Sequence, residues 1–332
     1  MLKIRSIVGG AALAGLLAAT PAVGQEAWKL GQVGAPGSGL AVMGDKFATA
    51  VTEASGGAFT VERQFIGNEQ EMVQQVLRGR VEMGVTSPQG MGVAIPAGTV
   101  LGLPFLWKSD EERDFVVQTK VKPVLEAIYE KAGLKLLQIS SAGYYGVFCK
   151  VDCSDPATLK QQKVRVSATV PSRVFWENQQ VNPVQLPVSE LWPGLEQNLV
   201  VAADIPLPYY VTTPAVESAP HFVAAKHFHA DWIYFMNLRK WNGLSDEQRT
   251  AIQEKIPTSQ ELTAFYDSEV EKARRQLVDE FKGHYYELND EQRAKWHNNI
   301  ETKYPEILAS MTEEARSLYE VIVAAKKEFA VR

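Results

Sequence analysis

Three small groups of side chains in this sequence could do chemistry. The first is Arg165, set in Lys163-Val164-Arg165-Val166. Side chains alternate along a strand, so Val164 and Val166 share one face and Arg165 takes the other. The valine face reads as core. The guanidinium must then reach water at a sheet edge, a carboxylate or a ligand. The second group is His227-Phe228-His229, with His221 nearby in sequence. A pair at i, i+2 has metal-ligand spacing, but it is more often the wetted face of a strand, and no metal is expected. The third is Cys149 and Cys153. The favoured reading is a disulfide across a turn. Two free thiols or half of a metal site are the alternatives, and no second Cys or His pair lies close by to complete four ligands.

Signatures for catalysis are missing. The chain has no G-x-S-x-G, H-E-x-x-H, P-loop or strand-following G-x-G-x-x-G. Gly34 to Gly39 is placed as a phosphate loop would be, but ends without Lys-Ser/Thr. No cofactor is expected.

Lys3 and Arg5, the apolar run Ile7 to Ala19 and the small-x-small step Ala22-Val23-Gly24 read as an export signal over residues 1–24. Removing it takes Lys+Arg from 34 to 32 against 39 Asp+Glu, so net charge moves from −5 to −7. A mildly acidic chain with no basic run is a poor partner for nucleic acid or an anionic membrane. The 332 residues less 24 leave 308, enough for about two domains. Export also lets a disulfide persist.

The elements that must position these groups come in two sets. Trp28 to Val33, the helix carrying Leu40, Met43, Phe47 and Val51, Ala58 to Phe65, the helix Glu69 to Leu77, and Val81 to Val85 alternate as strand, helix, strand, helix, strand. A helix over about 110–132 and a strand Leu134 to Ile139 follow. The pattern restarts with Val164 to Val166, a helix Ser172 to Gln179, a strand Pro183 to Leu186, a helix capped by Ser189, and a strand Leu199 to Ile205. Two such sets predict two α/β lobes with parallel strands. Beyond Leu244 the chain reads as helical. Ser245 opens a capping box, a long helix runs from about Gln260 to Lys282, and Pro305 opens a final helix to about Phe329.

With these residues in place, the chain resembles the solute-binding proteins of tripartite ATP-independent periplasmic (TRAP) transporters, the C4-dicarboxylate-receptor-like family. The likeness runs through Ile66-Gly67-Asn68, Gly79-Arg80-Val81-Glu82-Met83, Leu103-Pro104-Phe105-Leu106, Pro156 to Val166, Asn182 to Trp192, and Asn237 to Leu244. Each motif is weak alone; their order and spacing carry the signal.

The resemblance implies a two-lobed type II periplasmic binding protein of α/β class, with hinge strands and a long C-terminal strap helix. Lobe one is expected over 25–142 plus 231–267, and lobe two over 143–230 plus 268–332. It implies a periplasmic receptor that captures a small organic acid and passes it to membrane permease subunits. A sensory receptor for an organic acid, or an enzyme on the same fold, are the alternatives. In the family, the arginine at the position of Arg165 holds the ligand carboxylate. A second family arginine falls where Tyr145 stands, a ligand-binding asparagine where Ile205 stands, and a pocket aromatic where Val188 stands. The expected ligand is therefore a monocarboxylate with an apolar portion, held by Arg165 as the only formal charge. Ser87, Gln89, Phe105 and Trp232 are further cleft candidates, with Tyr209 and Asp231 as residues able to restore polarity.

Overall fold

Two runs of alternating strand and helix share one continuous sheet, and the strand that joins them is the axis of the molecule. The computed structural model describes residues 26–34 and 36–331. The expected export signal lies outside the described residues. The first run is β1 (Glu26–Gln32), α1 (Gly39–Ala54), β2 (Phe59–Phe65), α2 (Glu69–Leu77), β3 (Met83–Thr86) and α3 (Pro88–Met91). Next come α4 (Asp110–Val116) and α5 (Lys122–Lys131), joined by a π turn, and the long strand β4 (Leu134–Cys149). The second run is β5 (Lys163–Val166), α6 (Val170–Asn178), β6 (Asn182–Gln185), α7 (Val188–Glu196) and β7 (Ala202–Pro206). After α8 (Leu207–Tyr210), α9 (Ala215–Ser218) and β8 (His221–Val223), β9 (His229–Asn237) returns to the first sheet. The remainder is α10 (Leu238–Asn242), α11 (Asp246–Lys255), α12 (Ser259–Arg275), β10 (His284–Tyr286), α13 (Asp290–His297), α14 (Tyr304–Ala309) and α15 (Glu313–Phe329).

Strand order is β2-β1-β3-β9-β4-β7-β5-β6. Within each run the strands are parallel, as their helical crossovers require. β4 pairs antiparallel with β9 over its first two thirds, then with β7 and β8 from Tyr145 onward. The switch coincides with a register shift between Ser141 and Tyr144, where Gly143 takes φ 68°. That left-handed backbone suits a residue without Cβ. One strand therefore belongs to both lobes.

The strap follows from how α12 divides its apolar face. Leu262 and Tyr266 pack in the first lobe's core with Phe47, Ala142 and Tyr234. Ala273, in the same helix, and Leu277 just beyond it pack in the second lobe's core with Phe148 and Tyr210. The far C-terminus departs from the division drawn from sequence. α13 stays with the second lobe through Trp296. Ala315, Leu318 and Ile322 of α15 are buried with Val100, Val116 and Leu125 of the first.

Several local expectations shift. The helix after β6 starts at Val188 with Pro187 as its cap residue, not at a Ser189 cap. The final helix is two helices, because Thr312 caps α15 by accepting from the Ala315 amide at 3.2 Å. A disulfide joins Cys149 at the end of β4 to Cys153.

A buried charge cluster ties α4, β4, β9 and α12 together at the strand switch. Arg113, fully buried, donates to Asp231 Oδ1. His229 Nδ1 lies 3.3 Å from the same oxygen, and its Nε2 lies 3.2 Å from Asp110 Oδ1 and 3.1 Å from Ser141 Oγ. Arg113 also faces Asp114, which accepts from Ser259 Oγ of α12 at 3.0 Å. Burial alone would push the His229 imidazole down, but Asp231 and Asp110 together hold it above the ordinary histidine value. Burial pushes the Asp231 carboxyl up, yet Arg113 and His229 hold it below its ordinary value.

Two outcomes follow from this cluster. Arg113→Met strands the Asp231 charge in the interior, so it should cost about 3–5 kcal/mol in urea unfolding. A raised folded-state value means that the stabilisation from His229 is complete below about pH 6.5 and is lost as pH rises through that raised value. The melting temperature of the wild type should therefore fall as pH rises above about 6.5, and His229→Gln should flatten that limb. Parallel pH profiles for the two proteins would rule out His229 as the titrating group.

Candidate functional site

The Val-Arg-Val strand is interior, not an edge. β5 lies between β7 and β6, with Val164 and Val166 in the second lobe's core. Arg165 is 4% exposed, so the solvated-edge alternative fails. Its Nε donates to the Leu186 carbonyl at 3.0 Å, and Nη1 lies 3.9 Å from Asp204 Oδ1 of β7. Asp204 Oδ2 in turn lies 3.0 Å from His227 Nε2. Burial lowers the Arg165 pKa, while Asp204, Tyr145 and Glu69 pull it back up. A guanidinium carries five N–H donors, and only Nε has a hydrogen-bond partner among the described residues. The rest of the fork is open to a ligand.

Arg165 lines a cavity of about 590 Å³ between the lobes. The wall is built from segments that follow the carboxyl ends of strands: Val33 after β1, Asn68 and Glu69 after β2, Ser87 and Gln89 after β3, Ser167 to Pro171 after β5, Leu186 to Ser189 after β6, and Tyr209 after β7. In open parallel sheets, ligands bind at this end of the strands. Ser310, Met311 and Thr312, between α14 and α15, complete the rim.

Nine of the ten sequence-predicted residues meet here: Arg165, Tyr145, Ser87, Gln89, Val188, Ile205, Tyr209, Asp231 and Trp232. Tyr145 and Tyr209 keep their phenol protons. Burial raises both, Tyr209 to about 12. Trp232 lies within β9 itself, not in a loop before it. Asp231 reaches the cavity with one oxygen already committed to Arg113 and His229; its Oδ2 has no partner.

Phe105 is the exception. It does not line the cavity; its ring packs between Phe175 and His297. The reason is its backbone, held at φ 55° with its amide donating to the His227 carbonyl at 2.8 Å. Phe105 fastens the lobes instead of facing the ligand. His227 and His229 also depart from the wetted-face reading. Both are buried, each against carboxylates, and among the described residues no group of three His, Cys, Asp or Glu could hold a metal ion.

Sequence reasoning missed Glu69 altogether, treating it as the start of a helix. Its carboxylate lines the cavity and accepts from Thr86 Oγ1 at 3.2 Å, the Ser87 amide at 2.8 Å and Ser87 Oγ at 2.8 Å. Gly90 makes room for it, since a Cβ there would sit 2.8 Å from Glu69 Oε2. Arg165 is thus the only cationic side chain among the described lining residues, but not the only formal charge. The available signal was position: Glu69 opens the helix that follows a parallel strand, directly after its Asn68 cap.

The chain matches known proteins in family and fold. Residues 31–311 match the family described as bacterial extracellular solute-binding protein, family 7 (DctP). The 2,3-diketo-L-gulonate-binding periplasmic protein YiaO of Escherichia coli is 23% identical over 286 residues, 85% of this chain and 86% of that protein. A TRAP periplasmic solute-binding protein from Roseobacter denitrificans, solved with bound β-D-glucuronate, superposes with TM-score 0.81 at 22% identity, covering 90% of this chain and 99% of that one. The periplasmic ectoine-binding protein of the TeaABC TRAP transporter of Halomonas elongata superposes with TM-score 0.80 at 17% identity, covering 91% and 100%. Among the described residues no helix is long and apolar enough to cross a membrane. The chain belongs to the DctP family of periplasmic solute-binding proteins, the TRAP-transporter receptors that take up small organic acids for a membrane permease.

Proposed function

We propose that the cavity captures a monocarboxylate with an apolar portion and releases it unchanged. The observation that carries this reading is a buried guanidinium with unused donors, the one cationic side chain on the described wall. In a closed, water-poor cleft it offers a carboxylate two parallel hydrogen bonds. Val93, Val170, Pro171, Val188 and Ile205 supply apolar wall around it. A dicarboxylate has no second arginine to meet, since Tyr145 occupies that flank and Glu69 would oppose the second charge. No His, Cys or Lys lines the cavity among the described residues, which supports binding over turnover. A sugar acid is the second reading, favoured by Ser87, Gln89, Ser167 and Thr169 on the same wall.

Ligand capture works by closure of lobe one, 25–142 plus 231–267, on lobe two, 143–230 plus the chain from 268 through α13. Bending is centred on β4 and β9 near Gly143, and α14 and α15 return to the first lobe. The permease reads the closed form.

Arg165→Ala should leave the circular dichroism spectrum unchanged and weaken organic-acid binding by about 3–5 kcal/mol, because the ligand charge is then buried without its partner. Unchanged affinity in calorimetry would falsify the assignment. In a thermal-shift screen, monocarboxylates should raise the wild-type melting temperature; shifts confined to dicarboxylates would refute the one-arginine reading.

A further inference from the structure

The charges on the cavity wall do not balance, and their imbalance points to the ligand. Arg165 faces Asp204 from behind, and Asp231 is matched by Arg113. Glu69 has no such close partner: among the described residues no Lys, Arg or His forms an ion pair with it, and Arg165 senses its charge only at longer range. Its three hydrogen bonds all come from neutral donors. The wall therefore offers donors at Arg165 and a carboxylate without a close counter-charge at Glu69. A simple anion would satisfy Arg165 and leave Glu69 facing a second negative charge in a space with little water to screen it.

We propose that the ligand is a zwitterion, with its carboxylate on Arg165 and a cationic nitrogen on Glu69. The proposal rests on the organic-acid reading above and sharpens it, since a zwitterion is a monocarboxylate whose other end is positive. The nitrogen gives Glu69 a counter-charge at hydrogen-bond distance. The apolar side chains between the two charged ends, Val93, Val170 and Ile205, contact the carbon frame. Net charge in the closed cavity is then unchanged by binding. An acid whose only other polar groups are hydroxyls supplies donors to Glu69 but no charge, and a dicarboxylate is repelled there.

The test is calorimetry on the whole mature protein with two probe sets. L-Proline, γ-aminobutyrate and ectoine represent zwitterions; D-glucuronate, L-gulonate and succinate represent net anions. The expected result is that at least one zwitterion binds the wild type roughly tenfold or more tightly than any anion, the scale of one charge-assisted hydrogen bond. Glu69→Gln, which keeps the shape and removes the charge, should lower zwitterion affinity by a similar factor and leave anion affinity equal or improved. If an anion binds best and Glu69→Gln does not favour it further, the zwitterion proposal is overturned while the organic-acid reading stands. If nothing in either set binds, the organic-acid reading falls and takes the proposal with it. Should the variant fail to fold, the wild-type ranking decides alone.

Discussion

A guanidinium held inside a sheet is the constraint on which the rest of this structure depends. Removing an arginine from water is costly unless its charge and donors are met. Here they are met only in part. One nitrogen donates to the Leu186 carbonyl, and Asp204 stands 3.9 Å from another, too far for a hydrogen bond. Asp204 is itself held by His227, which stacks on Phe175 at 4.5 Å. The protein thus fixes the guanidinium in place without saturating it. Full satisfaction would leave nothing for a ligand, and none would leave the charge too costly to bury.

The fold determines where this arrangement can exist. Parallel strands point their carboxyl ends the same way, so the loops after β1, β2 and β3 converge on one side, and those after β5, β6 and β7 on the facing side. β4 runs through both lobes, and α12 lies across it with its apolar residues divided between two cores. The ionic cluster of Arg113, Asp231 and His229 sits at the register shift in this shared strand. The same Asp231 lines the cavity. Strand geometry, lobe connection and ligand wall therefore share residues, and a change at one is felt at the others.

Most of the architecture was legible because it is periodic. Helical and strand spacing marked both α/β runs, and the strap was visible as a long stretch free of Gly and Pro. Arg165 stood out because a charge between valines contradicts the local pattern. Residues that conform to their local pattern gave no such signal. Glu69 is an ordinary acidic residue in the first turn of a helix, and Asp204 an ordinary strand residue; only tertiary placement makes them part of the site. Phe105 failed for the opposite reason. An aromatic beside a proline invites a cleft assignment, but its left-handed backbone turns it between Phe175 and His297. The two histidines were misjudged because i, i+2 spacing specifies a face and not what covers it.

The break near Thr312 shows how a small local signal shapes the site. A single helix from Pro305 to Phe329 would carry its hydrogen-bond ladder straight past the cavity. Instead the Thr312 hydroxyl takes the Ala315 amide, starts a new helix and leaves Ser310 to Thr312 as a non-helical rim. α15 can then turn its apolar face into the first lobe while α13 remains in the second. The chain crosses between lobes once more than two α/β runs require, and it crosses between Ile300 and Tyr304, ahead of the cavity rim. The helices on either side of the rim are both packed in the first core, so Ser310 to Thr312 move with that lobe.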